Sequence, residues 1–126
     1  MTSLQRSWVA SANQPDCGFP LNNLPCGVFS TGETGPRCGM AIGDFVLDLG
    51  SLEAHGMLRL PYGLLLGLPF WNGVMAAGPE VWADLRAQVA ALLIEGSDQQ
   101  AAVEKYLVPL DAATLHMPFT LSEYTD

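Results

Sequence analysis

The stretch Phe19–Ser30, Phe-Pro-Leu-Asn-Asn-Leu-Pro-Cys-Gly-Val-Phe-Ser, sets the hardest condition on the fold. Pro20 and Pro25 donate no backbone hydrogen bond, and Asn22, Asn23 and Gly27 favour turns. Phe19, Leu21, Leu24, Val28 and Phe29 are nevertheless spaced among them. Chain of this kind cannot hold itself by its own ladder of hydrogen bonds, so its side chains must pack beneath later elements of the chain. The expectation is buried irregular chain that runs into a strand.

Ahead of it, Trp8 and Val9 lie in a polar setting followed by the turn formers Asn13, Gln14, Pro15, Asp16 and Gly18. This reads as a leading arm with one short strand, held down by Trp8. From Gly27 the pattern turns to sheet. Gly27–Thr31 is a strand, Gly32-Glu33-Thr34-Gly35-Pro36 a loop, and Arg37–Ile42 and Phe45–Leu49 flank the two-residue hairpin connection Gly43-Asp44. A short helix over Ser51–His55, capped by Ser51 and stopped by Gly56, is expected next. Met57–Phe70 is apolar but broken by Pro61, Gly63, Gly67 and Pro69. It reads as a loop whose leucines either lie over the core or face a partner.

The clearest helix is Pro79–Glu95. Proline stands at its first position, Glu80 and Asp84 lie near the positive end of its dipole, and Gly96 ends it. Val81, Leu85, Val89 and Leu92, joined by Trp82 and Leu93, form one apolar stripe. Ser97 with Gln100 makes a capping-box pattern for a second helix to about Leu107, closed by Pro109. Val108–Met117 returns as a strand to complete the sheet. The expected fold is α+β, mainly β: a small, partly open β-barrel of five short strands with a helical pair packed on it. A plain α+β sandwich is the alternative.

A chain of 126 residues suits one domain with a modest core. The net charge is −8, and Arg6, Arg37, Arg59, Arg86 and Lys105 are scattered singly. Nucleic acid and anionic membrane surfaces need clustered cations, which argues against both as partners. Met57–Phe70 is too short to span a bilayer. Cys17, Cys26 and Cys38 form no CxxC pair, and the N-terminus lacks a signal-peptide pattern, so buried thiols in a reducing cytoplasm are expected.

Candidate chemistry is sparse. Cys17, Cys26, Cys38, His55 and His116 are the borderline metal ligands, and they lack the close pairs that zinc sites bring. Gly32-Glu33-Thr34-Gly35 carries an acid and opens no helix, which argues against a phosphate cradle. Glu80 and Asp84 share a helix face, but acids at a helix N-terminus explain them. A cysteine nucleophile would need a base near it in space, and nothing in the sequence favours one. Glu123-Tyr124-Thr125-Asp126 gathers two carboxylates and two hydroxyls, an arrangement that an ordinary polar tail also accounts for.

Several stretches nevertheless resemble a known family in its own order: Asp16–Ser30, Pro36–Leu49, Asn72-Gly-Val-Met75, and Thr114-Leu-His-Met-Pro118 leading to Glu123-Tyr-Thr-Asp126. They are similar to the N-terminal part of the fumarylacetoacetases, the fumarylacetoacetate hydrolases of tyrosine and phenylalanine breakdown. Met57–Phe70 matches least. The resemblance implies an SH3-like domain over residues 1–118. Residues 119–126 would begin the linker and metal-site segment of a catalytic domain located further along.

It also implies hydrolytic cleavage of a carbon–carbon bond in a β-diketone acid, giving fumarate and acetoacetate. A calcium or magnesium ion held by carboxylates would polarise the diketone oxygens, and a homodimer is the implied assembly. Of the family's metal and catalytic residues only one falls here: Asp126 matches the aspartate of its Tyr-Thr-Asp motif, a metal ligand. His116, just ahead of that motif, reads as structural. No catalytic residue is expected within the 126 residues, which on this reading are inactive alone and partner their own catalytic domain. The competing class is a free-standing small-barrel interaction module without catalysis.

Overall fold

Strand pairing begins at the hairpin. Gly43 takes φ 57°, the left-handed value that a two-residue turn with glycine first requires, and a Cβ there would also meet the backbone nitrogen of Ala12 at 2.8 Å. The turn pairs β2 (Arg37–Ile42) with β3 (Phe45–Asp48), Ile42 opposite Phe45. The computed structural model describes residues 6–13, 21, 24–61, 63–69 and 71–120, the last four of these by their backbone alone.

β1 (Cys26–Ser30) lies antiparallel to β2, with Val28 opposite Cys38. β4 (Leu107–Pro109) adds to β3, and β5 (Thr114–Thr120) adds to β1. The order β4-β3-β2-β1-β5 makes a curled five-stranded antiparallel sheet, a half-barrel whose two edge strands are not paired with each other. The small, partly open α+β barrel expected from sequence is therefore the architecture found.

β5 is bulged twice against β1. Phe29 faces Leu115 and Val28 faces Met117, so His116 is the extra residue of the first bulge. The second irregularity falls between Met117 and Thr120, where Pro118 has no N–H to give to the ladder. The single return strand expected over Val108–Met117 is split into β4 and β5 by a 3-10 turn at Leu110–Ala112, which carries the chain from one edge of the sheet to the other.

The helices are α1 (Leu49–Ala54), α2 (Asn72–Ala76), α3 (Pro79–Leu93) and the single turn α4 (Gln100–Val103), which tightens into a 3-10 turn at Glu104–Tyr106. On α3 the buried side chains are Trp82, Leu85, Val89 and Leu93, while Val81 and Leu92 flank the stripe half-buried. Burying each such aliphatic side chain contributes about 1.5–3 kcal/mol. The sequence pattern extends this helix to Glu95, but it ends at Leu93 because the N-terminal arm takes over. Ser7 pairs with Ile94 in an isolated bridge, and its hydroxyl donates to the Leu93 carbonyl at 2.5 Å. The Trp8 indole donates to Leu92 O at 2.8 Å, and Glu95 N donates to Arg6 O at 2.9 Å. The arm thus satisfies carbonyls that a helix end leaves without partners. Trp8 anchors it as expected.

Leu21, Leu24, Cys26, Val28 and Phe29 are all buried, the packing that the opening stretch demanded; Phe19 lies outside the described residues. Leu24 adopts φ 40°, costly for a residue with a Cβ by about 1–2 kcal/mol. Its carbonyl accepts from Arg86 Nη1 at 3.0 Å, which ties that conformation to α3. One apolar core joins the sheet, all four helices and the arm residues Val9 and Ala12. Among the described residues no helix is long and apolar enough to cross a membrane.

Candidate functional site

Two of the buried polar residues, Asp48 and Glu53, lie on one flank of the sheet, where α1 and the loop after it cover β2. Asp48 ends β3 and caps α1: its carboxylate accepts from Ser51 N at 3.1 Å and from Ser51 Oγ at 2.8 Å. Ser51, the cap expected from sequence, is instead the residue that Asp48 holds. The other partner of Asp48 is Arg37, whose Nη2 lies 2.8 Å from Oδ2. The Asp48 side chain is 6% exposed and that of Arg37 is 18% exposed, so this ion pair is largely out of water. The guanidinium also sits 5.8 Å above the Phe29 ring.

Glu53, on the buried face of α1, points its carboxylate at the loop. Oε1 accepts from Leu66 N at 2.8 Å; Oε2, and Nε of Arg37, are buried without a hydrogen-bond partner among the described residues. Leu66 O accepts from Cys38 N at 3.1 Å, and Cys38 Sγ donates to Leu68 O at 3.5 Å. Gly50 makes room for this contact, because a Cβ on it would stand 3.0 Å from Gly67 Cα and 3.1 Å from Leu66 O. A loop with no ladder of its own is thus tied to the sheet at Leu66 and Leu68. At its start, Gln88 of α3 clamps Arg59, accepting from Arg59 N at 3.0 Å and donating to Arg59 O at 2.8 Å.

The leucines of the loop divide between core and surface. Leu58 and Leu66 are buried in the core, whereas Leu64 is 71% and Leu68 is 40% exposed. Where the loop ends, Trp71 is buried, donates from its indole to Gly27 O at 2.9 Å, and meets Trp82 edge-on at 5.5 Å. The Arg86 guanidinium lies over the Trp82 ring, 5.5 Å from its centroid.

The thiols here are structural. Burial pushes Cys38 up to about 12, with neighbouring Cys26 and the Glu53 carboxylate adding to the rise. A thiol held protonated is a poor nucleophile and a poor metal ligand. Burial likewise lowers Arg86 below the ordinary arginine range, with the charge of Cys26 opposing it. His116 is exposed, its Nε2 2.7 Å from Ser30 Oγ, and the pair fastens β5 to the end of β1 at the bulge. His55 caps the C-terminal end of α1, its Nδ1 donating to Ser51 O at 2.8 Å and its ring 5.4 Å from Tyr106. Glu80 is in the first turn of α3, and Asp84 accepts from Gln88 at 2.7 Å.

Among the described residues no three His, Cys, Asp or Glu side chains converge on a space that could hold a metal ion. Cys17 and Asp126, with Glu123, Tyr124 and Thr125, lie outside the described residues. The residues that sequence reasoning missed are Arg37, Asp48, Glu53 and Gln88. Asp48 carried a signal in the aspartate just ahead of a helix start; the others carried none, since their partners are distant in the chain.

The two buried carboxylates of this flank, Asp48 and Glu53, are spent on holding the backbone N–H groups of Ser51 and Leu66. Comparison with known proteins accounts for such a scaffold. The family model described as "Fumarylacetoacetase N-terminal" matches residues 22–118. The fumarylacetoacetase of Homo sapiens is 35% identical over 119 residues, covering 88% of this chain and 28% of that protein. That of Oryza sativa subsp. japonica is 34% identical over 134 residues, with 96% and 30% covered, and that of Caenorhabditis elegans is 31% identical over 128 residues, again with 96% and 30% covered. The chain spans less than a third of the length of the curated relatives it matches. With the family model covering most of the half-barrel and relatives at 31–35% identity along it, the chain belongs to the fumarylacetoacetase N-terminal family.

Proposed function

We propose that the chain is the supporting N-terminal domain of a metal-dependent hydrolase that cleaves the carbon–carbon bond of a β-diketone acid, 4-fumarylacetoacetate, to fumarate and acetoacetate. The observation that carries this reading is the match itself. Nearly the whole chain aligns with the first part of proteins named fumarylacetoacetase, and it covers 28–30% of their length. The use of Arg37, Asp48 and Glu53 as fasteners supports a bracing role for residues 1–118.

On this reading the reacting groups come from polypeptide beyond Asp126, and the natural protein works in the cytoplasm as a homodimer. Asp126 is one oxygen donor to a calcium or magnesium ion, whose further donors belong to the catalytic domain. The donor type fits, because hard cations prefer carboxylate oxygen. When bound, such an ion would supply Lewis-acid stabilisation of negative charge forming on the diketone oxygens.

Two measurements test the proposal together. Calorimetry on the 126-residue chain should register no stoichiometric calcium or magnesium binding, because one carboxylate cannot replace a set of ligands. The longer polypeptide should bind the ion and hydrolyse 4-fumarylacetoacetate, and Asp126→Asn should weaken its metal affinity. Tight stoichiometric binding by the short chain, or undiminished hydrolysis by a protein lacking residues 1–115, would refute the assignment of roles.

A further inference from the structure

Between Arg59 and Glu80 the sequence holds no Asp, Glu, Lys, Arg or His, in a chain of net charge −8. Part of this stretch is core, since Leu66, Trp71 and Val74 are buried. The remainder forms a surface. Leu64 and Leu68 stand out at 71% and 40% exposure, and Leu65, next to Leu64 in the chain, lines an open cleft of about 290 Å³ with Gly73, Ala76 and Ala77. A solvated face of a small acidic domain carries charges; an uncharged face with projecting leucines beside a cleft has the composition of the central part of an interface.

Where the chain leaves the sheet indicates what covers this face. The last residue of β5, Thr120, is paired with Cys26 at the beginning of β1. The next residue, Gly27, receives the indole N–H of Trp71, the residue that opens α2. The polypeptide therefore departs from the same end of the sheet at which the helix lining the cleft begins.

We infer that the face formed by Leu64, Leu65 and Leu68 with the α2 cleft is the seat of the polypeptide beyond Asp126, docking through an apolar, uncharged surface. The inference rests on the domain reading proposed above. A covalent continuation of the chain past Thr120, itself paired with Cys26, would meet this face at high effective concentration and bear little of the entropic cost of association. A second copy would bear that cost in full and would bring a net charge of −8 against −8.

Amide hydrogen exchange, run on the 126-residue chain and on the full open reading frame, tests it. In the longer protein the amides of Leu64, Leu65, Leu68, Ala76 and Ala77 should exchange at least about tenfold more slowly than in the short chain. Leu64→Asp with Leu68→Asp should reverse that protection. Both side chains are exposed, and an unchanged circular dichroism spectrum of the short chain carrying the pair would show that its fold is retained.

Equal exchange in the two proteins, with hydrolysis of 4-fumarylacetoacetate intact, would overturn the docking face and leave the proposed function standing. Protection already present in the short chain, concentration-dependent and accompanied by a dimer mass in sedimentation, would overturn it in favour of a second copy. A reading frame that stops after Asp126 would overturn both.

Discussion

α3 and the loop after α1 are secured by opposite means. α3 buries Trp82, Leu85, Val89 and Leu93, and its own hydrogen bonds keep it a helix whatever its exact seat. The loop is held at points: Glu53 to Leu66 N, Cys38 to Leu66 O and Leu68 O, Gln88 to Arg59. Apolar contact is non-directional and tolerates small displacements, whereas a buried carboxylate that accepts one named N–H fixes a position. An element that satisfies its own backbone needs only a surface to bury; a segment that does not must be given partners one by one.

The strongest way to break the comparison is Asp48→Ala. It removes the cap of α1 and leaves the largely buried Arg37 without its ion-pair partner, and the expected loss is about 3–5 kcal/mol in denaturant unfolding. A loss below about 1 kcal/mol would show that the pair is effectively solvated. On α3, Leu85→Ala should cost about 2–5 kcal/mol by removing a fully buried side chain and leaving a cavity. This variant should speed exchange of core amides throughout, because the apolar cluster is shared.

Glu53→Ala sharpens the contrast. It strands Leu66 N–H in the interior and should cost about 1–3 kcal/mol. Its signature is local: faster exchange across residues 63–69 with α3 unaffected, whereas uniform acceleration would place the loop and α3 in one cooperative unit.

The smallest effect at neutral pH concerns Cys38. Folding raises this thiol from the ordinary 9.0 to about 12, so the folded state holds its proton where the unfolded state has released it. That contribution is complete below about pH 9 and is lost as the pH climbs toward 12. Native chain at pH 8 should resist alkylation at Cys38, and Cys38→Ala should flatten the alkaline fall in stability. Rapid labelling of the native thiol would contradict its burial.

Local signals were legible where partners are near in sequence. The Gly43-Asp44 hairpin, the proline-started α3 and its stripe appear in the structure nearly as read, because turn chemistry and period are properties of adjacent residues. The candidate site was legible only in outline. Glu53 reads as an ordinary helix acid, yet its acceptor role depends on Leu66 thirteen residues on. Arg37 reads as a solitary surface cation, yet it meets Asp48 across a strand pair. The end of α3 was misjudged by two residues because its last carbonyls are taken by Ser7 and Trp8 from the far end of the chain. α2 went unread, being five residues long and without a side-chain cap.

By itself, then, the sequence determined the α+β class, the strands of the central meander, the main helix and the family. These come from turn residues, apolar period and motif order, all of which are short-range. Tertiary structure alone decided which leucines of the 57–70 loop are core and which are surface, which acids are buried, and that β4 and β5 lie on opposite edges. Those outcomes depend on which distant backbone groups lack a partner when the chain closes, and nothing within a single stretch encodes that.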